Sequence, residues 1–276
     1  MNTVGPRRAV ASAEEERRLA EKRLAGDLSF DARPLPSASL DDLDLDLFRE
    51  SYLPAALPPD VLAQNERTIS QQLASARFLG PDGPPTVTGI LTLGQEPTRF
   101  VPGAYVQFLR LDGTDLKDPV RDQKVISGPL LQVLRELEEL IRVNVSIAAN
   151  LAAGPVEVRT PDYPVRALEQ LVRNAVMHRS YESTNAPVRV TWFGDRVEIQ
   201  NPGGPFGQVD VENFGQPGVT DYRNPTLAEV MKTLGYVQRF GVGIPLARRG
   251  LERNGNPPLE FEVNDRNVAA IVRGRP

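Results

Sequence analysis

Between residues 201 and 224 the chain passes Pro202, Gly203, Gly204, Pro205, Gly207, Gly215, Pro217 and Gly218 without any hydrophobic period. Glycine and proline at this density interrupt helix and strand alike. A structureless stretch this long is uncommon in a compact domain unless it is a lid or a binding loop, so its flanks decide what the chain can be. Before it, residues 164–178 read as a helix opened by Pro164. Residues 187–193 and 196–200 then read as strands joined by Gly194-Asp195, a tight-hairpin signal. After it come helices over 225–234 and 242–253, then strands over 259–263 and 268–272 around the turn at 264–267. Helix, hairpin, long loop, helices, hairpin is the order of an α/β sandwich, one mixed and mostly antiparallel sheet backed by helices.

The first half reads as a smaller α/β unit. Residues 1–10 form a loose arm. Ser12 and Glu15 make a capping box for a helix with acidic residues in its first turn, Lys22 and Arg23 in its last, and Gly26 at its end. Residues 28–30 suggest a short strand. Residues 41–48 start a helix that ends near Pro54, and Pro59 opens a helical pattern that runs to Gly80. Residues 86–94 have strand-like residue types but are apolar enough for a buried helix. Residues 105–111 alternate as a strand. Leu130, Leu131, Leu134, Leu137, Ile141 and Val145 form a helical stripe over 128–145, a core face or a dimer seam. Residues 156–159 make another short strand. The expected division is an arm and charged helix over 1–30, a central α/β domain over 31–157, and a third unit over 158–276.

Composition removes several chemistries. The 276 residues include no cysteine and one histidine, which excludes disulfides, thiolate nucleophiles and Cys- or His-rich metal clusters. A net charge of −4 provides no overall electrostatic footprint for nucleic acid, so DNA binding is not supported by this chain alone. No apolar run reaches membrane-spanning length, and no apolar segment follows the N-terminal arginines as in a secretory signal. A cytoplasmic protein is the expectation.

Three features coincide in the second half. Asn174 lies on the helix that runs to His178, and an amide oxygen on a rigid element can serve a hard cation such as Mg2+. A lone helical asparagine is more often a surface or capping residue. Asn201 ends a strand, where it can pair a planar base or simply make a turn before proline. Gly241 and Gly243 precede a helix, so backbone N–H groups and the positive helix end can face a phosphate. The same glycines can equally be a plain turn.

The segment LEQLVRNAVMHRSY over 168–181 resembles the ATP-binding helix of bacterial transcriptional regulators. These usually carry an AlbA-like (Schlafen-type) DNA-binding module followed by a divergent domain of the gyrase, chaperone, histidine-kinase and MutL (GHKL) type. The turn Asn201-Pro202-Gly203-Gly204, the Arg223-Asn224-Pro225-Thr226-Leu227 run and Gly241-Val242-Gly243-Ile244 match further motifs of that family in the same order. The likeness continues upstream through residues 85–94, Pro102 and the helix over 128–145, while the AlbA-like module is missing ahead of residue 11.

The resemblance implies nucleotide contacts from Asn174, His178, Asn201, Gly203, Gly204, Arg223, Gly241, Gly243 and Ile244, with ATP and Mg2+ as cofactors and Asn174 serving the metal through the nucleotide. His178 can instead simply bond the last carbonyls of its helix, and Arg179 and Arg223 can reach phosphate or form salt bridges. Two departures bear on turnover. Gln170 stands where hydrolysing relatives carry the water-activating glutamate, and a neutral amide cannot take a proton from water. Glu169 points about 100° away on an ideal helix. Asn201 stands where the wider class has a base-reading aspartate. The implied function is an ATP-binding regulatory module of a transcriptional regulator, switching a conformation or an interface with weak or absent hydrolysis. The alternatives are a degenerate scaffold acting through homodimerisation or a partner protein, and a slow ATPase.

Overall fold

Alternation sets the sheet. In β1 (Tyr105–Leu111), Val106 and Phe108 are buried while Gln107 and Leu109 look outward. In β5 (Val188–Trp192), Val188, Val190 and Trp192 are buried and Arg189 is exposed. The computed structural model describes residues 28–81, 83–150, 158–182, 184–216, 218–237 and 241–275, so the charged helix expected after Ser12 lies outside the described residues. Adding β2 (Val120–Ser127), β6 (Arg196–Pro202), β7 (Glu260–Val263) and β8 (Asn267–Arg273) gives a six-stranded sheet in the order β2-β1-β5-β6-β8-β7. Only β1 and β5 pair in parallel; the other four pairings are antiparallel. A separate hairpin joins β3 (Ile147–Asn150) and β4 (Val158–Pro161), the latter where a short strand was expected at 156–159.

A parallel neighbour demands a crossover, and here helices supply it. The chain reaches β1 by way of the helices α1 (Ile69–Ser75) and α2 (Val87–Leu93), and between β2 and β5 run α3 (Leu130–Asn144) and α4 (Val165–His178), which pack on each other and on the sheet. The leucine stripe of α3 is core: Leu130, Leu134, Leu137 and Ile141 join one apolar cluster with β1, β5, β6 and α4. Two further helices, α5 (Pro225–Thr233) and α6 (Gly243–Asn254), follow the glycine-rich loop, and α6 lies along α4. The sheet therefore takes strands from both sides of the boundary expected at residue 157.

The residues before β1 pack as short helices around Phe48, Tyr52 and Phe78, whose rings meet at 4.7–5.8 Å. Val230 of α5 completes that cluster, which fastens the early helices to the later ones. Residues 87–93 are helical and wholly buried, with Thr86 capping through a 3.0 Å bond from the Gly89 N–H, so the buried-helix alternative holds. Three details differ from expectation. Phe30–Ala32 is a single 3-10 turn in place of a strand, closed by bonds from the Ala32 N–H to the Ser29 carbonyl at 3.0 Å and from the Arg33 N–H to the Phe30 carbonyl at 3.1 Å. The helical pattern from Pro59 breaks after Ala63 and restarts at Ile69, where Thr68 and Gln71 form a capping box. The helix begun at Leu45 runs past Pro54 to Ala56 through a π-helical turn at Phe48–Tyr52. Among the described residues no helix is long and apolar enough to cross a membrane.

Candidate functional site

Gln170, Asn174 and His178 recur every fourth residue on α4, and that spacing puts them on one face. They line a cleft of about 1140 Å³, solvent-filled mouth included. Ile199 and Asn201 of β6, Phe261 of β7 and Val268 of β8 form its far side, and the start of α6 closes one end with Gly241, Gly243 and Ile244. The glycine-rich loop covers it. That loop is folded: the Asp221 carboxylate accepts from the Gln208 N–H, and Asp210 and Asn213 exchange bonds of 2.8 and 2.9 Å. Arg248 of α6 donates to the Gly215 carbonyl at 3.2 Å and holds the loop against the helix.

Gly243 is where the resemblance meets geometry. A Cβ built on it would lie 3.0 Å from Asn174 Nδ2, 3.3 Å from Asn174 Oδ1 and 3.5 Å from Gln170 Oε1. The backbone entering α6 thus passes directly over the two amides of α4. Gly241 sits at φ +62°, a left-handed conformation that favours glycine, with Thr220 of the covering loop 3.0 Å from where a Cβ would be. Side-chain amides, backbone N–H groups and the positive end of a twelve-residue helix converge on one corner of the cleft. The donor set fits a phosphate, and the Asn174 oxygen fits a phosphate-bound Mg2+. Among the described residues no cluster of acidic or histidine side chains forms a metal site of its own.

His178 stacks on Tyr222 at 5.5 Å with 15° between the planes. Burial, reinforced by the Arg223 charge, pushes its pKa down to about 4, so the ring facing the cleft is neutral at pH 7. Glu169 is spent elsewhere. It accepts from Arg142 at 2.7 Å, within a network in which Arg173 binds Glu138 at 2.5 Å on the α3 side of α4. The carboxylate next to Gln170 therefore faces away from the cleft.

The structure brings Asn174, His178, Asn201, Gly204, Gly241, Gly243 and Ile244 into one cleft and leaves Gly203 and Arg223 outside its lining. Gly203, at φ +91°, packs on Ser180 and lines a neighbouring surface hollow with Arg189 and Arg266. Arg223 donates to the Gly204 and Pro205 carbonyls at 3.1 and 3.4 Å and lies over the Phe206 ring, bracing the base of the loop. Arg179, which follows the last residue of α4, is buried and donates to the Gly103 and Ser180 carbonyls. Sequence reading missed Asn224, whose amide donates 2.8 Å bonds to the Met177 and Arg179 carbonyls and so caps α4. It also missed the loop aromatics Phe206 and Phe214. Aromatic residues inside an otherwise polar, glycine-rich loop were the available signal; Phe214 meets Phe261 at 5.1 Å across the cleft.

Residues 185–272 match the family model HATPase_c_4, described as "Putative ATP-dependent DNA helicase recG C-terminal". This C-terminal part is therefore similar to that HATPase family. Its match begins just before β5 and takes in β6, the covering loop, α5, α6 and β8, while α4 with Gln170 and Asn174 lies ahead of it. Comparison with curated proteins returns no match. Among solved structures, the DIP2311 protein from Corynebacterium diphtheriae superposes with a TM-score of 0.67 at 22% identity, over 93% of this chain. The present chain spans 50% of that one, and the likeness concerns the fold.

Proposed function

We propose that the HATPase-like domain binds ATP with Mg2+ and uses it as a conformational or interface switch with little or no hydrolysis, as the regulatory module of a transcriptional regulator. The observation that carries this reading is the corner where Gly243 lies against Asn174 and Gln170. Phosphates take the α6 N-terminus, the base takes the apolar slot between Ile199 and Phe261 beside Asn201, and the loop over 203–222 forms the cover. Asn174 supports the phosphate-bound Mg2+. Gln170 faces this corner as an amide and cannot act as a base, and Glu169 is held in its ion-pair network, so bound nucleotide persists.

Ligand at about 100 times its dissociation constant adds roughly 2.7 kcal/mol to stability. Melting is therefore expected to rise with ATP and magnesium, with little or no phosphate released by the wild type. Gln170→Glu restores a carboxylate at the corner and is expected to release phosphate, and the added Asn174→Ala change to abolish it. No melting shift at millimolar nucleotide, in either the wild type or Gln170→Glu, would sink the reading. It would favour a scaffold that kept the fold and fills its own slot with Phe206, Phe214 and Phe261.

A further inference from the structure

β2 ends the sheet. It pairs with β1 on one side, and no described strand lies on the other. Residues 120–125 are all exposed, including Val120 at 53% and Val125 at 63%. A row of unpaired N–H and C=O groups on an edge is a template for another strand, and natural edges are usually blocked by charge. The charges here are arranged differently. Asp122 and Lys124 flank Gln123, and the ladder to β1 is regular from Ser127 to Asp122. Phe108 lies opposite Lys124 and Arg110 opposite Asp122, so both charges look toward the α3 side of the sheet, where Lys124 pairs with Glu136.

We propose that β2 is the seam of a symmetric homodimer, pairing antiparallel with β2 of a second copy about Gln123. In that register each Asp122 stands opposite Lys124 of the second copy, on the same face. Opposite charges directly across a strand pair attract, whereas a shift of register sets like charges or uncharged groups there. Arg121 stands opposite Val125 and covers it with its aliphatic stem. Gln123 stands opposite itself. The two sheets join into one, an isologous contact that closes and forms no fibre. The proposal does not depend on what the cleft binds.

The chain has no cysteine, which makes the register directly measurable. Gln123→Cys places two thiols directly opposite, with Cα atoms within about 5.5 Å, inside disulfide reach. Arg121→Cys and Val125→Cys each stand roughly 13 Å from their own copy, four residues at about 3.3 Å. Under mild oxidation Gln123→Cys is expected to crosslink at least tenfold faster than Leu116→Cys in the adjoining turn. Arg121→Cys and Val125→Cys are expected to crosslink when mixed and not alone.

Sedimentation supplies the second arm. Asp122→Lys and Lys124→Asp should each give monomers, and the double exchange should restore the dimer, with melting temperature confirming that all three fold. A monomeric wild type at 100 µM overturns the proposal. So does a dimer indifferent to these charges, or a Gln123→Cys rate no faster than that of Leu116→Cys.

Discussion

His178 is the only histidine in the chain, so its titration reports on the cleft without overlap. Its folded pKa is lowered from 6.5 to about 4, by burial first and by Arg223 second. Between those values the unfolded chain holds a proton that the folded one refuses, so stability present above pH 6.5 declines as pH falls to about 4. The imidazole resonances of the folded protein are expected to titrate near 4, and His178→Gln should melt with a shallower acid dependence than the wild type. A midpoint near 6.5 would show that the ring is open to water. Sequence reading placed this histidine near the cleft and left its role open between a nucleotide contact and a helix-end bond. Its stacking on Tyr222, a residue that lies more than forty positions on, has no signature in local sequence. Gly243 was legible because a short glycine spacing before a helix has a local cause. The inward turn of Gln170 and the outward turn of Glu169 followed from helix geometry alone.

At the scale of elements, α4, α5 and α6 were readable because their periods and boundary residues are local. The strand β2 was not, since seven of its eight residues are exposed and carry no alternation. The least visible device is Asp31. Its carboxylate is fully buried, accepts the Leu227 N–H in the first turn of α5 at 2.8 Å, and accepts Ser29 Oγ at 2.6 Å. It caps a helix 196 positions away, a pairing only the fold reveals. The N-terminus of α5 has no cap of its own, as Asn224 is turned back onto α4. Asp31→Ala leaves the buried Leu227 N–H without a partner and is expected to cost about 1–3 kcal/mol. Urea unfolding measures it, and an unchanged midpoint would remove Asp31 from the account of α5.

For the whole molecule, the sequence order identified the later sandwich but assigned residues 105–111 to a separate central unit. A parallel pairing leaves no local mark, because the partner strand arrives only after two helices. The apolar cluster that includes Phe108 and Leu134 also includes Val190 and Val197. A fragment over 158–276 would therefore lose the neighbour of β5 and the cover of α4. It is expected to lack the cooperative melting expected of the full chain, read by circular dichroism; a cooperatively melting fragment would make the later half an independent domain.

The central claim is that the corner between α4 and the start of α6 receives the phosphates of a nucleotide. Calorimetric titration of ATP and magnesium into the wild type and into Gly243→Val tests it most directly, with melting temperature confirming that the variant folds. A Val side chain would occupy the space against Asn174 and block the backbone approach. The account predicts one saturable site in the wild type and at least about tenfold weaker binding in the variant, about 1.4 kcal/mol. No heat of binding in the wild type, or equal affinity in both proteins, would contradict it.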